Sequence, residues 1–187
     1  KKCNSMTVLG LERGVVRLVP YNPCWSLLFE DEKQRIQTVI GLWILDIQHV
    51  GSTSIPGCPA KPILDIAIAV ANFEQAFICI PPLEQLGYSC LGEYGIPRRH
   101  YFVRRNPHST HHIHMLEHHS SEWLNHLLFR DYLRVHPDAV EAYGALKSSL
   151  AARYPRDRDA YTEGKAEWIQ GILAIARAEM NSRSSGN

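Results

Sequence analysis

The chain has 187 residues and a formal net charge of +1, so its length suits one domain and its charge gives no general attraction to nucleic acid or to an anionic membrane. No apolar run approaches the roughly 20 residues that span a bilayer. Five cysteines, an odd number without a C-x-x-C pair, argue against a disulfide framework or a thiolate zinc site and favour a reducing cytosol. We therefore expect a cytoplasmic protein of one domain, residues 1–187, with an ordered core over about 13–178 and a disordered tail over 181–187.

The first quarter of the chain predicts a loose start, a short strand and a helix. Residues 1–12 are expected to be loose, and the apolar run 15–19 predicts a strand. Asn22 as the cap and Pro23 at the first helical position then predict the start of a helix. Apolar residues follow at helical spacing until Gly41, which ends the helix.

Two apolar runs, 42–50 and 63–70, predict strands on either side of a loop rich in Gly, Ser, Thr and Pro. Side chains alternate between the two faces of a strand, so the second run places Leu64, Ile66, Ile68 and Val70 toward the core. Asp65, Ala67 and Ala69 take the opposite face. A carboxylate followed by two alanines leaves space above that face, which either a ligand or a packed helix would fill.

The second half predicts a split helix, a hairpin and a run of helices. Residues 73–86 have helical character that Pro81 and Pro82 interrupt. Residues 100–105 and 111–116 predict the two strands of a hairpin. Helices follow from Ser120, with a break at 136–138 and a last helix that begins near Tyr161. The order predicts a mixed sheet first and a helical layer last.

The loop between the first two long strands is a candidate anion site. Small residues, free backbone N–H groups and hydroxyls after a strand suit phosphate, and Lys61 lies beside them. The candidate contacts in the turn itself are Gly51, Ser52, Thr53 and Ser54. An acid on the next strand, Asp65, could hold a metal beside that phosphate. The alternative is a tight connection between core strands, with Asp65 paired to Lys61 or to a helix end.

The returning strand of the hairpin carries a His-x-His pair. His112 and His114 share one face, and Ile113 and Met115 face the core. The two imidazoles could bind a metal together with Asp65, or one could act as a general base near neutral pH. One carboxylate with two histidines suits Zn²⁺, Mn²⁺ or Fe²⁺ better than Mg²⁺. Alternatively, this strand face is exposed and bonds to phosphate or solvent.

Two arginines are further candidates for a substrate contact. Arg99 lies at the start of the hairpin, and a guanidinium fork suits phosphate or carboxylate. Arg130 lies one helical turn before Arg134, so both could reach a common anion. Equally, they could pair with acids such as Asp131 as part of the structure.

Near the end of the chain, Tyr161 and Lys165 have the i, i+4 spacing of one helix face. Lys165 could neutralise a phosphate, and the alternative is a surface lysine. We include both residues among the predicted contacts of a phosphate-bearing substrate.

The stretch HVGSTSIPGCPAKPILDI (49–66), with matches at 112–114, 129–134 and 161–165, resembles the signature of the GrpB family. The resemblance extends from about residue 15 to about residue 176. It implies an α/β (α+β) fold of nucleotidyltransferase type, in which a mixed β-sheet is packed by helices and followed by a C-terminal helical layer. Enzymes of that type place a Gly-Ser turn before a strand with two acids. Here Asp65 matches the first acid, but Ala67 stands at the second position and cannot bind metal.

The resemblance therefore predicts an enzyme that binds ATP or another nucleoside triphosphate and a divalent metal, Mg²⁺ or Mn²⁺ with Zn²⁺ as a further option. It would move a nucleotidyl group to a small-molecule acceptor, or activate that acceptor. The predicted catalytic and metal residues are Asp65, His112 and His114. Two alternatives stay open: an Asp/His metal enzyme that acts on a small polar substrate without a nucleotide, and a non-catalytic protein that kept the pocket. Ala67 favours these alternatives, because two-metal phosphoryl transfer needs several carboxylates.

Overall fold

The computed structural model describes residues 9–184. Its helices are α1 (Cys24–Ile40), α2 (Ile80–Gln85), α3 (Ser121–Val135), α4 (Pro137–Arg153), α5 (Arg158–Glu163) and α6 (Ala166–Ser184). Its strands are β1 (Asp46–Val50), β2 (Leu64–Val70), β3 (Tyr88–Cys90), β4 (Arg99–Arg105) and β5 (Ser109–Glu117). Short 3₁₀ helices cover Gly41–Trp43, Ser52–Ser54 and Gln75–Cys79.

The strands form one mixed sheet in the order β1-β2-β5-β4-β3. Strands β2 and β5 run parallel, and the other neighbouring pairs are antiparallel. The parallel register places Asp65 opposite His112 and Ala67 opposite His114. The sheet itself thus brings the predicted acid and the His-x-His pair to the same region of one face.

The first face of the sheet is the apolar core. Ile66 and Ile68 of β2 and Ile113 and Met115 of β5 lie in one buried cluster, together with Trp25 and other residues of α1. The alternation read from the sequence predicted these inward positions, and the structure confirms it. Burial of each such side chain contributes about 1.5–3 kcal/mol to folding.

The second face is divided between helix packing and a cavity. Ala67 and Ala69 are fully buried against Trp123 and the partly buried Leu127 of α3. The packed-helix alternative therefore holds above the alanines. The side chain of Asp65, at the other end of the same row, stays 32% exposed.

Another buried cluster joins the turn after β1 to the helical layer. Ile55 and Cys58 from the loop pack with Leu133 of α3, Tyr143 of α4 and Ile172 of α6. These contacts set the helices over the second face of the sheet, so the cavity at Asp65 has the sheet as its floor and the helices as its walls.

Several sequence-based boundaries need correction. The run 15–19 makes no strand, because only Val19 forms an isolated bridge, to Ala60. Strand β1 begins at Asp46 rather than at residue 42, since a 3₁₀ turn occupies Gly41–Trp43. Leu11, predicted to be loose, is buried and bridges to Ser109.

The predicted break at the two prolines is confirmed, since a 3₁₀ helix ends at Cys79 and α2 begins at Ile80. The predicted last helix is wrong in one respect, because α5 ends at Glu163 and α6 begins at Ala166. Tyr161 and Lys165 therefore do not share a helix.

The predictions for the chain ends are only partly tested. Helix α6 extends to Ser184, so the tail prediction is wrong for 181–184, while 1–8 and 185–187 lie outside the described residues.

Cys24 is disulfide-bonded, contrary to the expectation from the odd cysteine count, whereas Cys58, Cys79 and Cys90 are free thiols. Within residues 9–184, none of the helices is both long and apolar enough to cross a bilayer.

Candidate functional site

The turn after β1 approaches the strand acid closely. Gly51 has φ +67°, and a Cβ on it would lie 2.6 Å from Oδ2 of Asp65. Glycine is therefore required here both for the backbone conformation and for the space. Ser54 donates from its Oγ to the Gly51 carbonyl at 2.6 Å, which closes the turn. Its hydroxyl is thus bonded within the protein, and the phosphate contact predicted for Ser54 stays a prediction.

Thr53 and Ser52 differ in what their hydroxyls contact. Oγ1 of the buried Thr53 lies 2.9 Å from Nε2 of His49. Burial, opposed in part by Asp65, lowers the pKa of His49 to about 4, so this imidazole is neutral at pH 7. Ser52 lines the cavity, and its Oγ lies 2.9 Å from Nζ of Lys147 in α4.

Asp65 of β2 faces both histidines of β5. Its Oδ1 lies 3.3 Å from Nδ1 of His112 and 3.5 Å from Nε2 of His114. Burial alone would raise the pKa of Asp65, but hydrogen bonds from the two imidazoles outweigh it and hold that pKa well below its ordinary value. Burial lowers the pKa of His112 despite the carboxylate beside it. The arrangement is an ionised carboxylate that a neutral His112 contacts through Nδ1.

Arg99 is placed behind this group rather than in the cavity. Its Nη1 lies 3.3 Å from Nδ1 of His114, and its other N–H groups donate to the carbonyls of Glu93 and Tyr94. Because a guanidinium only donates, the His114 Nδ1 accepts, and its Nε2–H points to Asp65. Arg99 therefore orients His114, and the substrate contact predicted for Arg99 stays a prediction.

A cavity of about 380 Å³ opens above Asp65, between the sheet, the turn and helices α3, α4, α5 and α6. Most of the predicted site residues line it: Gly51, Ser52, Thr53, Lys61, Asp65, His112, His114, Tyr161 and Lys165. Ser54, Arg99 and Arg130 are not part of its lining.

Lys61 and Lys165 both line the cavity, and both lie near the ring of Tyr161. Their Nζ atoms lie 5.5 Å and 4.5 Å from the ring centroid of Tyr161. Neither ammonium has a hydrogen-bond acceptor or a carboxylate partner within residues 9–184. Burial lowers the pKa of both lysines, and the charges of Lys61 and Lys147 help to bring that of Lys165 to about 7.

Lys147 of α4 is a site residue that the sequence reading missed. It is 1% exposed, and its Nζ lies within hydrogen-bond distance of Oγ of Ser52 (2.9 Å), Sγ of Cys58 (3.1 Å) and the Pro59 carbonyl. Burial lowers its pKa. A signal was present, because Lys147 follows Tyr143 by four residues and so lies on the apolar stripe of α4, where a lysine is unexpected.

His126 of α3 was also missed. Its ring centroid lies 4.8 Å from that of His114, and burial lowers its pKa to about 3. The same helix face brings Glu122 and Asn125 to the lining. Spacing alone could have found this face, since His126 follows the buried Trp123 by three residues.

Arg130 and Arg134 hold the turn from outside the cavity. Arg130 pairs with Asp131 at 2.7 Å and donates to the His49 carbonyl at 3.0 Å. Arg134 donates to the Ser54 carbonyl at 3.0 Å. The alternative of a structural role fits these contacts, and the phosphate contact predicted for Arg130 stays a prediction.

The metal centre predicted from Asp65, His112 and His114 does not fit this geometry. Across the described residues 9–184, no group of three His, Cys, Asp or Glu side chains is arranged to hold a metal ion. The position of a second acid is Ala67, which is fully buried under α3. A two-metal clamp, which needs several carboxylates, therefore lacks its ligands.

The mixed sheet covered by helices, with a Gly-Ser turn before a strand acid, is a nucleotidyltransferase-like fold. The family model described as "GrpB protein" matches residues 15–174, so this chain belongs to the GrpB family. The family resemblance read from the sequence is thereby confirmed.

Its relatives agree over nearly the whole chain. UPF0157 protein YqkA from Bacillus subtilis is 40% identical over 172 residues, which cover 92% of this chain and 50% of YqkA. Glutamate-rich protein GrpB from Alkalihalophilus pseudofirmus is 36% identical over 171 residues, covering 89% and 98% of the two chains. The crystal structure of GrpB from Enterococcus faecalis aligns with a TM-score of 0.82 at 34% identity, covering 88% and 99%. This chain thus spans half the length of YqkA and nearly all of the other two.

Proposed function

We propose that the cavity binds a small molecule with a phosphate chain, such as ATP or another nucleoside triphosphate, and that the protein transfers a nucleotidyl group to, or activates, a small-molecule acceptor. The observation that carries the proposal is the pair Lys61 and Lys165. Both ammoniums line the cavity, and neither meets an anion within the part of the chain that the structure describes.

Electrostatics favour a multiply charged anion at this place. Lys61 and Lys165 repel each other when both are charged, as the lowered pKa of Lys165 reflects. A phosphate chain between Lys61 and Lys165 would remove this repulsion, and its attraction to them is strong because the site is shielded from water. The nearby hydroxyl of Ser52 can donate to a phosphate oxygen, and Gly51 lets the backbone come close.

The histidine side chains at the cavity can accept a proton from the acceptor. Asp65 contacts Nδ1 of His112, which leaves Nε2 as the ring nitrogen with a free lone pair. Burial keeps His112 neutral at pH 7 because it lowers its pKa. A neutral imidazole oriented by a carboxylate can act as the general base when the acceptor attacks phosphorus. The lysines would stabilise the charge that develops on the phosphate oxygens.

A non-catalytic ligand-binding protein is a second candidate, and Ala67 is the observation that favours it. Without a second strand acid, the metal clamp of related enzymes cannot form. Such a protein would bind the same phosphate-bearing ligands through Lys61 and Lys165 and release no product.

Calorimetric titration with ATP, pyrophosphate and inorganic phosphate tests binding, with and without Mg²⁺, Mn²⁺ or Zn²⁺. We expect Lys61→Met and Lys165→Met each to raise Kd about 10- to 100-fold, which is about 1.4–2.8 kcal/mol. Lys33→Met, which removes a lysine outside the cavity lining, should leave Kd unchanged.

The same titration has a second readout in the uptake of protons. An anion raises the pKa of Lys165 from about 7, so binding at pH 7.5 should take up protons, which appears as a dependence of the measured heat on the buffer. Lys165→Met should abolish that dependence. Absence of binding for every phosphate compound, under all metal conditions, would refute the proposal. Release of pyrophosphate across a panel of amines, acids and alcohols then separates the enzyme from the binding protein.

A further inference from the structure

Ser52 and Lys147 form a pair whose geometry exceeds the needs of phosphate binding. Ser52 directly follows Gly51, whose positive φ turns the chain sharply at the end of β1. Its side chain lines the cavity, and its Oγ lies 2.9 Å from Nζ of Lys147. A serine presented on a sharp turn within reach of a base is the arrangement of an activated nucleophile.

The contacts of Lys147 match those of a neutral amine. A neutral amine has two N–H groups and one lone pair, and Nζ has three neighbours: the Pro59 carbonyl, Sγ of Cys58 and Oγ of Ser52. The first two can each take one N–H, which turns the lone pair toward the hydroxyl of Ser52. No carboxylate within residues 9–184 pairs with Lys147. Cys58 favours the charged form, and the Tyr143 ring lies 4.4 Å from Nζ, but burial outweighs Cys58 and lowers the pKa of Lys147.

We propose that Ser52 is a nucleophile, that Lys147 is its general base, and that the transferred phosphoryl or nucleotidyl group is carried covalently on Ser52 between donor and acceptor. This rests on the proposed function, because it takes a phosphate-bearing donor as the substrate.

In the first step, Oγ of Ser52 forms a bond to the phosphorus atom, and the bond from phosphorus to the leaving oxygen breaks. Pyrophosphate leaves when the donor is a nucleoside triphosphate that reacts at its α-phosphate, and the hydroxyl proton passes to Nζ of Lys147. In the second step, the acceptor bonds to phosphorus and releases its proton to His112, which passes it on to solvent. The bond from phosphorus to Oγ then breaks, and Lys147 returns its proton to Ser52. The sum is donor plus acceptor giving nucleotidylated acceptor, pyrophosphate and one proton.

A purely structural role for Lys147 is the competing explanation, since it also ties the turn to α4. The two roles differ in what Lys147→Arg would do. Arginine keeps the charge and the hydrogen-bond donors, so a structural tie is largely retained, but it cannot take a proton from serine. Ser54 offers a matched control on the same turn, because its Oγ is already bonded to the Gly51 carbonyl.

A fluorophosphonate probe tests the proposal directly, because it labels activated serines without needing the natural substrate. The full chain is labelled, the modified residue is located by mass spectrometry, and the rate is measured from pH 6 to pH 10. We expect labelling at Ser52, its loss in Ser52→Ala, retention in Ser54→Ala, and a rate about 100-fold lower in Lys147→Arg. In the unmodified chain the rate should rise with pH through one ionisation below 10.5, the ordinary pKa of lysine.

Each outcome decides the matter. A folded protein that the probe leaves unlabelled at Ser52, or that Lys147→Arg labels at the same rate, refutes the proposal. If Lys147→Arg does not fold, as judged by its circular dichroism, the pH profile of the unmodified chain decides, and a rate independent of pH refutes it. The titration with phosphate compounds is separate, so binding without labelling would leave the proposed function standing while this mechanism falls.

Discussion

The two faces of the central sheet are built from the same strands, yet they have opposite characters. On one face Ile66 of β2 and Ile113 of β5 are fully buried among apolar side chains. On the other, Asp65 of β2 and His112 of β5 face each other beside a cavity. Strand alternation alone divides the residues between the faces. What covers each face, however, is decided by helices that lie far away along the chain.

The covering of the second face changes along the length of the strands. At one end Trp123 packs on Ala67 and Ala69, and at the other end Asp65 stays open to the cavity. The small alanines admit the indole, so the helix comes down on the sheet at one end and leaves room at the other. The shape of the site thus depends on the small side chains of Ala67 and Ala69 as much as on its charged groups.

Ala67→Asp is expected to have the largest effect on this comparison. It would restore the second strand acid but bury a carboxylate against Trp123, which should destabilise the fold by about 3–5 kcal/mol. Urea unfolding measures the change. Ser89→Asp, which puts the same acid on an exposed strand position, should cost less than about 0.5 kcal/mol. Unchanged stability, or a new stabilisation by Mg²⁺, would show that this end of the face is open to ligands after all.

Gly51→Ala tests the contact between the turn and the strand acid. The added Cβ would lie 2.6 Å from Oδ2 of Asp65. The alanine would also have to adopt the φ of +67° that Gly51 has. We expect a loss of about 2–4 kcal/mol, because both strain and a clash contribute.

Gly57→Ala is the matched control for this variant. Gly57 has φ +78° with no atom within 4 Å of its added Cβ, so it isolates the conformational strain, about 1 kcal/mol. Equal losses for the two variants in urea unfolding would mean that the approach of Gly51 to Asp65 adds nothing to the requirement for glycine.

Lys165→Met should stabilise the protein at pH 7, by about 1–3 kcal/mol, because a lysine with a lowered pKa disfavours the native state. The native pKa is about 7 and the ordinary value is 10.5, so between these values the unfolded chain binds more protons than the native one. Stability of the unmodified chain should therefore rise with pH across this window.

The test of this prediction is urea unfolding at pH 6.5, 8 and 9.5 for both chains. The difference in stability between Lys165→Met and the unmodified chain should shrink as the pH rises. Lys33→Met should leave the pH dependence unaltered. A destabilised Lys165→Met would indicate that the lysine is held by favourable contacts and would weaken the case for an anion site.

Local patterns were sufficient for the parts of the site that lie on strands. Alternation placed Asp65, His112 and His114 on one face, and the parallel pairing of β2 with β5 then brought their polar atoms to within 3.5 Å. The split of residues 73–86 at the prolines likewise followed from local chemistry.

The helical side of the site could not be read in the same way. His126 lies more than sixty residues after Asp65 in the sequence, and Lys147 lies more than ninety residues after Ser52. No local pattern sets the angle at which α3 and α4 cross the sheet. Residue type also misled: Arg99 and Arg130 have the chemistry of anion contacts, but both direct their donors to protein groups. The i, i+4 spacing predicted that Tyr161 and Lys165 share a helix face, but Lys165 lies in the break between α5 and α6. Lys165 nevertheless lines the cavity.

Helix α3 holds the site at two separate places. Near its start Trp123 packs on the alanines. Near its end Arg130 donates to the carbonyl of His49 in β1, and Arg134 donates to the carbonyl of Ser54 in the turn. A movement of α3 along its axis would therefore widen or narrow the opening above Asp65 and displace the turn at Gly51. The size of the opening and the position of the turn would change together.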